Sequence, residues 1–267
     1  MPLEDQAVTH KKNLLSPIFA VALIFGVWVT ARAQTEITLD TPLPTKDSFE
    51  KILPGFEAKT GYKVKPRWGN GVGTKQDAAR GDSYDVFVVL PPYHDALASG
   101  NLMKNTGTTL GGFVLALTVK KGSPMPDISS AASVKRTLLA AKSLVTVDPT
   151  MGSVGVAANA MLQKLGIFDQ VKSKLKYVPN GGGVGKSVVA GESEFGLGPY
   201  VSDLMGNREP DLVVVGGLPG GASTPTDIVA FVATHAKDAA AAKALVQYLA
   251  TPGAGQVYKE HGILPHK

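Results

Sequence analysis

From Gln34 onward, short apolar segments with strand character alternate with stretches of helical periodicity, and this alternation constrains the fold more than any motif. Strands such as Glu36–Leu39, Tyr62–Trp68, Asp85–Leu90, Leu144–Val147, Leu175–Val178 and Leu212–Val215 are separated by helical patterns and turn residues. A chain of this kind builds βαβ units, whose strands pair in parallel with helices on the sheet faces. Among the helical patterns, Phe49, Ile52, Leu53 and Phe56 share a face, and Pro54 within them demands a kink or a restart. Further helices are expected at 130–141, 154–165, 184–190, 238–250 and 252–261. Gly112–Val119 is the longest β-like run, and Thr226–Ala233 reads as a strand returning to the first sheet. No repeat of fixed period is present.

The N-terminus has the pattern of an export signal. Lys11 and Lys12 precede the apolar run Leu14–Thr30 of 17 residues, and Ala31-Arg32-Ala33 places small residues where a signal peptidase reads. Cleavage after Ala33 is therefore expected, with the mature protein in the periplasm. A spanning helix needs about 20 apolar residues, and no other run approaches that. Residues 34–267 remain, a length near that at which one core splits into two. The absence of cysteine excludes both disulfide staples and a lipid-modified cysteine. Residues 34–267 carry 24 basic and 20 acidic groups, a net +4. That mild excess suits an anionic ligand but supplies no basic patch for nucleic acid. The densest basic stretch, Lys172–Lys176, reads as a solvated helix end.

Chemistry concentrates in glycine-rich turns that follow strands and open helices. They are Trp68–Lys75 (WGNGVGTK), Asp148–Gly155 (DPTMGSVG) and Asn180–Ser187 (NGGGVGKS), with Thr41–Thr45 (TPLPT) as a fourth without glycine. The first N–H groups of a helix lack internal partners and lie at the positive end of its dipole. Glycine admits a ligand to that backbone, and a serine or threonine hydroxyl adds a donor, which together make a cradle for anions. Ordinary turn and cap chemistry accounts for any one such loop equally well.

Other chemistries fit poorly. Asn180–Ser187 lacks the first glycine of a phosphate-binding P-loop, and an exported protein meets no ATP. Gly69, Gly71 and Gly73 miss the dinucleotide-binding spacing, and Ser153 misses that of a nucleophile elbow by one residue. His10, His94, His235, His261 and His266 form no pair at metal-ligand spacing, so neither a metal nor a cofactor is expected. His94 beside Asp95 reads as a surface helix start, and Glu192 with Glu194 as a solvated face.

Pro126–Ser143, Asp148-Pro149 with Gly152-Ser153, and the stretch Ala236–Pro265 resemble bacterial extracytoplasmic solute-binding proteins, and are most similar to the molybdate-binding receptors of ABC importers. The resemblance implies the two-lobed type II periplasmic binding protein fold, an α/β architecture in which each lobe is a mostly parallel sheet flanked by helices. It places one lobe at residues 34–115 plus 213–267 and the other at 116–212, with a small anion held between them. In such receptors a tetrahedral oxyanion is bound by backbone N–H groups and hydroxyls at helix starts, with a tyrosine nearby. The matching positions are Thr41, Gly71, Gly73, Thr74, Ser153 and Tyr200. A monomer that delivers its ligand to a membrane permease follows from the same resemblance.

The chain departs from that pattern. Pro42 and Pro44 remove N–H donors where the family commonly offers Ala-Ala-Ser, and Gly198-Pro199 precedes Tyr200 in place of a polar pair. Lys46, Lys75 and Lys186 lie at or near candidate loops and suit a larger carboxylate as well as an oxyanion. Aconitate isomerases look similar to these receptors, so a metal-independent isomerase of a tricarboxylic acid is the alternative. Tyr200, His94 or Lys75 would then be asked to move the proton.

Overall fold

The computed structural model describes residues 35–199 and 209–264. Two mixed sheets, each flanked by helices, form a two-lobed molecule. The expected export signal and Tyr200 lie outside the described residues. Among the described residues no helix is long and apolar enough to cross a membrane.

The first lobe begins with β1 (Glu36–Pro42), α1 (Lys46–Thr60), β2 (Lys63–Gly69), α2 (Gly73–Arg80), β3 (Val86–Val89), α3 (His94–Ala98) and β4 (Thr108–Phe113). The second contains β5 (Leu115–Lys120), α4 (Ala131–Ala140), β6 (Leu144–Val147), α5 (Ser153–Lys164), α6 (Phe168–Val171), β7 (Leu175–Val178), α7 (Gly181–Val189), β8 (Phe195–Pro199) and β9 (Leu212–Gly217). The chain then returns through β10 (Thr226–Val232), α8 (Ala239–Leu249), α9 (Pro252–Glu260) and the short β11 (Ile263–Leu264). Strand order is β11-β4-β10-β3-β1-β2 in one sheet and β7-β6-β8-β5-β9 in the other.

The βαβ units account for the parallel part of each sheet. β1 pairs in parallel with β2 and β3, and β6 with β7 and β8. The strands that carry the chain between lobes run the other way: β10 is antiparallel to β3 and β4, and β5 to β8 and β9.

The long apolar run Gly112–Val119 is divided between the sheets. β4 ends at Phe113 in the first, β5 starts at Leu115 in the second, and Val114 alone joins them. A fully buried strand is apolar on both faces, so periodicity cannot mark where one sheet gives way to another. β9, whose residues from 213 on were expected in the first lobe, pairs with β5 in the second sheet.

Local chemistry explains most boundaries. α1 runs unbroken through Pro54, because that residue lies on the exposed face together with Glu50, whose carbonyl loses its helical partner. Gly61 then ends the helix with φ 77°. α4, α7, α8 and α9 are capped by the side chains of Ser130, Asn180, Asp238 and Thr251. Lys174 corrects the reading of its basic stretch as solvated. Its Nζ donates to the carbonyls of Leu139 and Ala141 at 2.6 Å each, covering the C-terminal end of α4. One core lies between the first sheet and α1, α8 and α9, around Phe49, Phe56 and Tyr258. The second lies beneath α4 and α5, around Leu117, Leu138 and Leu162.

α5 is seated unusually close to its strand. A Cβ on Gly155 would overlap the carbonyl oxygen of Val147 and lie 2.7 Å from the nitrogen of Pro149. Alanine is normally the better helix former by about 1 kcal/mol, but here backbone obstructs it. Gly155→Ala is expected to destabilise by about 1–3 kcal/mol, as overpacking does. Differential scanning calorimetry should show Tm falling by several degrees.

Candidate functional site

The C-terminal ends of β1, β2, β6 and β7 lead into the loops singled out in the sequence, and the structure joins two of them. Gly71, between β2 and α2, meets Ser153, the first residue of α5. Ser153 Oγ donates to the Gly71 carbonyl at 3.5 Å. A Cβ on Gly71 would come within 3.0 Å of Ser153 Oγ and 2.8 Å of Leu90 Cδ1, so glycine is what allows the lobes to approach there. Val154 reinforces the junction by packing against the cores of both lobes.

The start of α5 is built as an open helix end. Asp148 Oδ1 accepts from the N–H (2.8 Å) and hydroxyl (2.6 Å) of Thr150, bonds that hold its carboxyl below the usual range. The Asp148 carbonyl accepts from the N–H groups of Met151 and Gly152, both at 2.9 Å. Gly152 then occupies the cap position and brings no side-chain acceptor. Among the described residues the N–H groups of Ser153 and Val154 have no hydrogen-bond partner, and neither does that of Gly71. Three backbone N–H groups without a partner and one hydroxyl thus lie where the two lobes meet, at the positive end of a helix of 12 residues.

The remaining expected residues are placed differently. Asn70, unremarked in the sequence beyond its place in the loop, caps α2 from within: its Oδ1 accepts from Val72 (3.0 Å) and Gly73 (2.7 Å). The N–H of Thr74 donates to the Asn70 carbonyl at 3.1 Å. Gly73 and Thr74 therefore spend their backbone donors inside the loop. The Thr74 side chain is wholly buried, and its Oγ1 has no hydrogen-bond partner. Thr41 is also wholly buried, with its hydroxyl 2.7 Å from that of Thr45, which in turn donates to the Pro42 carbonyl. Lys46 pairs with Glu50 along α1 at 3.6 Å. The third loop stays with its own lobe: Gly183 lies beside Val178, and Gly185 beside Glu209 and Leu212. Lys186 is exposed on α7. His94 and Asp95 form an exposed surface pair at 3.1 Å. Among the described residues no cluster of His, Asp and Glu could hold a metal ion.

Behind the first loop lies a charge network that the sequence did not reveal. Asp40 is fully buried at the end of β1 and meets Arg67 of β2 at 2.8 Å. Arg67 and Arg80 both pair with Asp77 of α2, and Arg67 lies over the Tyr84 ring at 5.2 Å. Burial raises the Asp40 pKa, and Arg67 opposes that shift. The network ties β1, β2 and α2 together and so fixes both ends of the Gly69–Gly73 turn.

A groove of about 510 Å³ continues from Ser153 between the lobes. One wall is a face of α5; the other comes from Pro91-Pro92 after β3 and from Thr224–Asp227 at the start of β10.

This architecture, two mixed α/β lobes meeting over helix N-termini at strand ends, is that of type II periplasmic binding proteins. Residues 37–264 match the profile of bacterial extracellular solute-binding proteins, and the chain belongs to that family. An aconitate isomerase of a Pseudomonas species is 26% identical over 243 residues, covering 89% of this chain and 90% of the relative. The molybdate-binding protein ModA of Azotobacter vinelandii is 29% identical over 238 residues, covering 87% and 89%. Among solved structures, the substrate-binding domain of a putative molybdenum ABC transporter from Clostridium difficile superposes with a TM-score of 0.70. Its identity is 17%, over 88% of this chain and all of that one.

Lys75 is the charged group of the first loop whose cost can be read directly. It is half-buried, burial lowers its pKa from the usual 10.5, and Asp95 opposes this only in part. A lysine with a lowered folded-state pKa destabilises while both states are charged, and the penalty fades as pH rises through the folded value toward the unfolded one. Lys75→Met is therefore expected to raise Tm at neutral pH. The gain should shrink as pH approaches 10.5, which thermal denaturation across a pH series will show.

Proposed function

We propose that this chain is the periplasmic receptor of an ABC importer and captures a small anion between its lobes. The observation that carries the reading is the contact of Ser153 Oγ with Gly71 at the lobe junction, where the N–H groups of Gly71, Ser153 and Val154 have no partner. Such donors match an oxyanion or carboxylate, which accepts and never donates when ionised. Relatives named for molybdate binding support the ligand class, and the family supports location outside the cytoplasm.

In this reading residues 1–33 are the export signal. The first lobe comprises the chain through β4 plus the segment from β10 onward, and the second the chain from β5 to β9. Closure of the lobes brings Gly71 to Ser153, and the two segments joining the sheets absorb the motion. Thr41 holds the start of α1 through Thr45, Gly73 and Thr74 shape the first loop, and Tyr200 is a further proposed ligand contact. The receptor acts as a monomer, and its closed form is delivered to the permease.

One observation favours a second reading. Lys75, with its pKa lowered by burial, is a candidate base beside the first loop, and an aconitate isomerase is among the relatives. Incubation with trans-aconitate, followed by chromatography for the cis isomer, separates receptor from enzyme: turnover would establish the second reading.

The receptor reading is tested by thermal shift of residues 34–267 with molybdate, tungstate, sulfate, phosphate and tricarboxylates, since a ligand of the folded state raises Tm. Ser153→Ala is expected to weaken the stabilising anion by about 1–3 kcal/mol, the worth of a hydrogen bond to a charged group. Unchanged affinity in that variant, measured by calorimetry, would remove Ser153 from the site.

A further inference from the structure

We infer that the ligand is an organic anion, a charged head carried on an uncharged carbon body, which lies along the groove between α5 and the opposite lobe. The inference rests on the anion reading above and extends it. Ser153, Val156, Ala157, Ala160, Met161 and Lys164 all line the groove. Their spacing of three and four residues puts them on one face of the helix. At 1.5 Å per residue, the eleven steps from Ser153 to Lys164 extend the wall by about 16 Å.

Chemistry changes along that wall. At the Ser153 end are the open helix N–H groups and the hydroxyl, which select negative charge. The middle is apolar, supplied by Val156, Ala157, Ala160 and Met161, and Pro91 and Pro92 add apolar lining from the other wall. The helix wall ends at Lys164, and Asp227 lines the groove from the other side. Lys164 is held there loosely, with Nζ 3.4 Å from the Gly220 carbonyl and 3.5 Å from Thr224 Oγ1. One basic and one acidic side chain among the lining residues leave the groove without a net charge of its own, so only the head of the ligand needs to be anionic.

Size points the same way. The groove's volume of about 510 Å³ falls within the roughly 300–1,000 Å³ of pockets that hold organic ligands. A tetrahedral oxyanion, one atom surrounded by four oxygens, would meet the donors at Ser153 and leave the apolar wall without a partner. A carbon body would cover that wall and gain its burial, about 25 cal/mol per Å² of apolar surface.

Isothermal titration calorimetry on residues 34–267 tests this with citrate as a carboxylate head and glycerol 3-phosphate as a phosphomonoester head. Sulfate and molybdate serve as compact anions, and glycerol as a body without a head. Ala160→Trp and Thr224→Trp fill the groove from opposite walls at exposed positions; circular dichroism and Tm establish that each variant is folded. The expected result is tighter binding of one organic anion than of sulfate or molybdate, no binding of glycerol, and at least a tenfold loss in either variant. The stronger of citrate and glycerol 3-phosphate identifies the head group. Preference for a compact anion, or organic-anion affinity unmoved by both tryptophans, overturns the groove inference and leaves anion capture standing. If none of the four anions binds, the anion reading itself falls, and this inference with it.

Discussion

The seating of α5 against β6 is the contact on which the functional arrangement depends. Gly155 lets the helix backbone rest directly on the carbonyl of Val147, and Gly152 has no side chain to collide with that valine. Any side chain at Gly155 would lift the helix from the sheet. Ser153 and Val154 would move with it, and with them the junction to Gly71 and the wall of the inter-lobe groove. The two glycines therefore act through position: their bare backbone sets where the donors of another residue point. Interiors are packed too densely for such a shift to be absorbed locally.

Much of this was legible in the sequence because strand–helix alternation and helix caps are local. Glycine-rich turns after strands marked the loops at 68–75 and 148–155, and Ser153 stood at the start of a helix as expected. What was not legible is which donors each loop keeps for itself. Asn70 closes the first turn and consumes the N–H groups of Val72 and Gly73, whereas Gly152 leaves the second open. An asparagine three residues before a helix glycine is a cap signal, and it could have been weighed. The division of Gly112–Val119 between two sheets was hidden for another reason. Buried strands on either side of Val114 look alike in hydropathy, and only their partners differ. The Asp40–Arg67–Asp77 network was invisible because its members come from three elements.

In the proposed receptor, charge around the first loop would suit binding more than stability. Asp40 is buried and answered by Arg67, so its carboxyl does not oppose an anion with full force. Lys75 is desolvated without a close carboxylate partner, and that imbalance costs the isolated protein some stability. An anion arriving nearby would relieve the imbalance. Sites poised for a ligand commonly carry such uncompensated charge, and Asn70 caps the loop without adding a carboxylate to it.

Strand order in the first sheet has a further consequence, for the order in which the molecule can assemble. β10 lies between β3 and β4, yet its residues follow the whole second lobe in the chain. As the polypeptide emerges from its N-terminus, β5 to β9 can pair with one another from a continuous segment. β3 meanwhile has an open flank until residue 226 and beyond are available. The lobe that begins the chain is thus the last to be completed, and its unpaired strand is the surface most in need of protection while synthesis is under way.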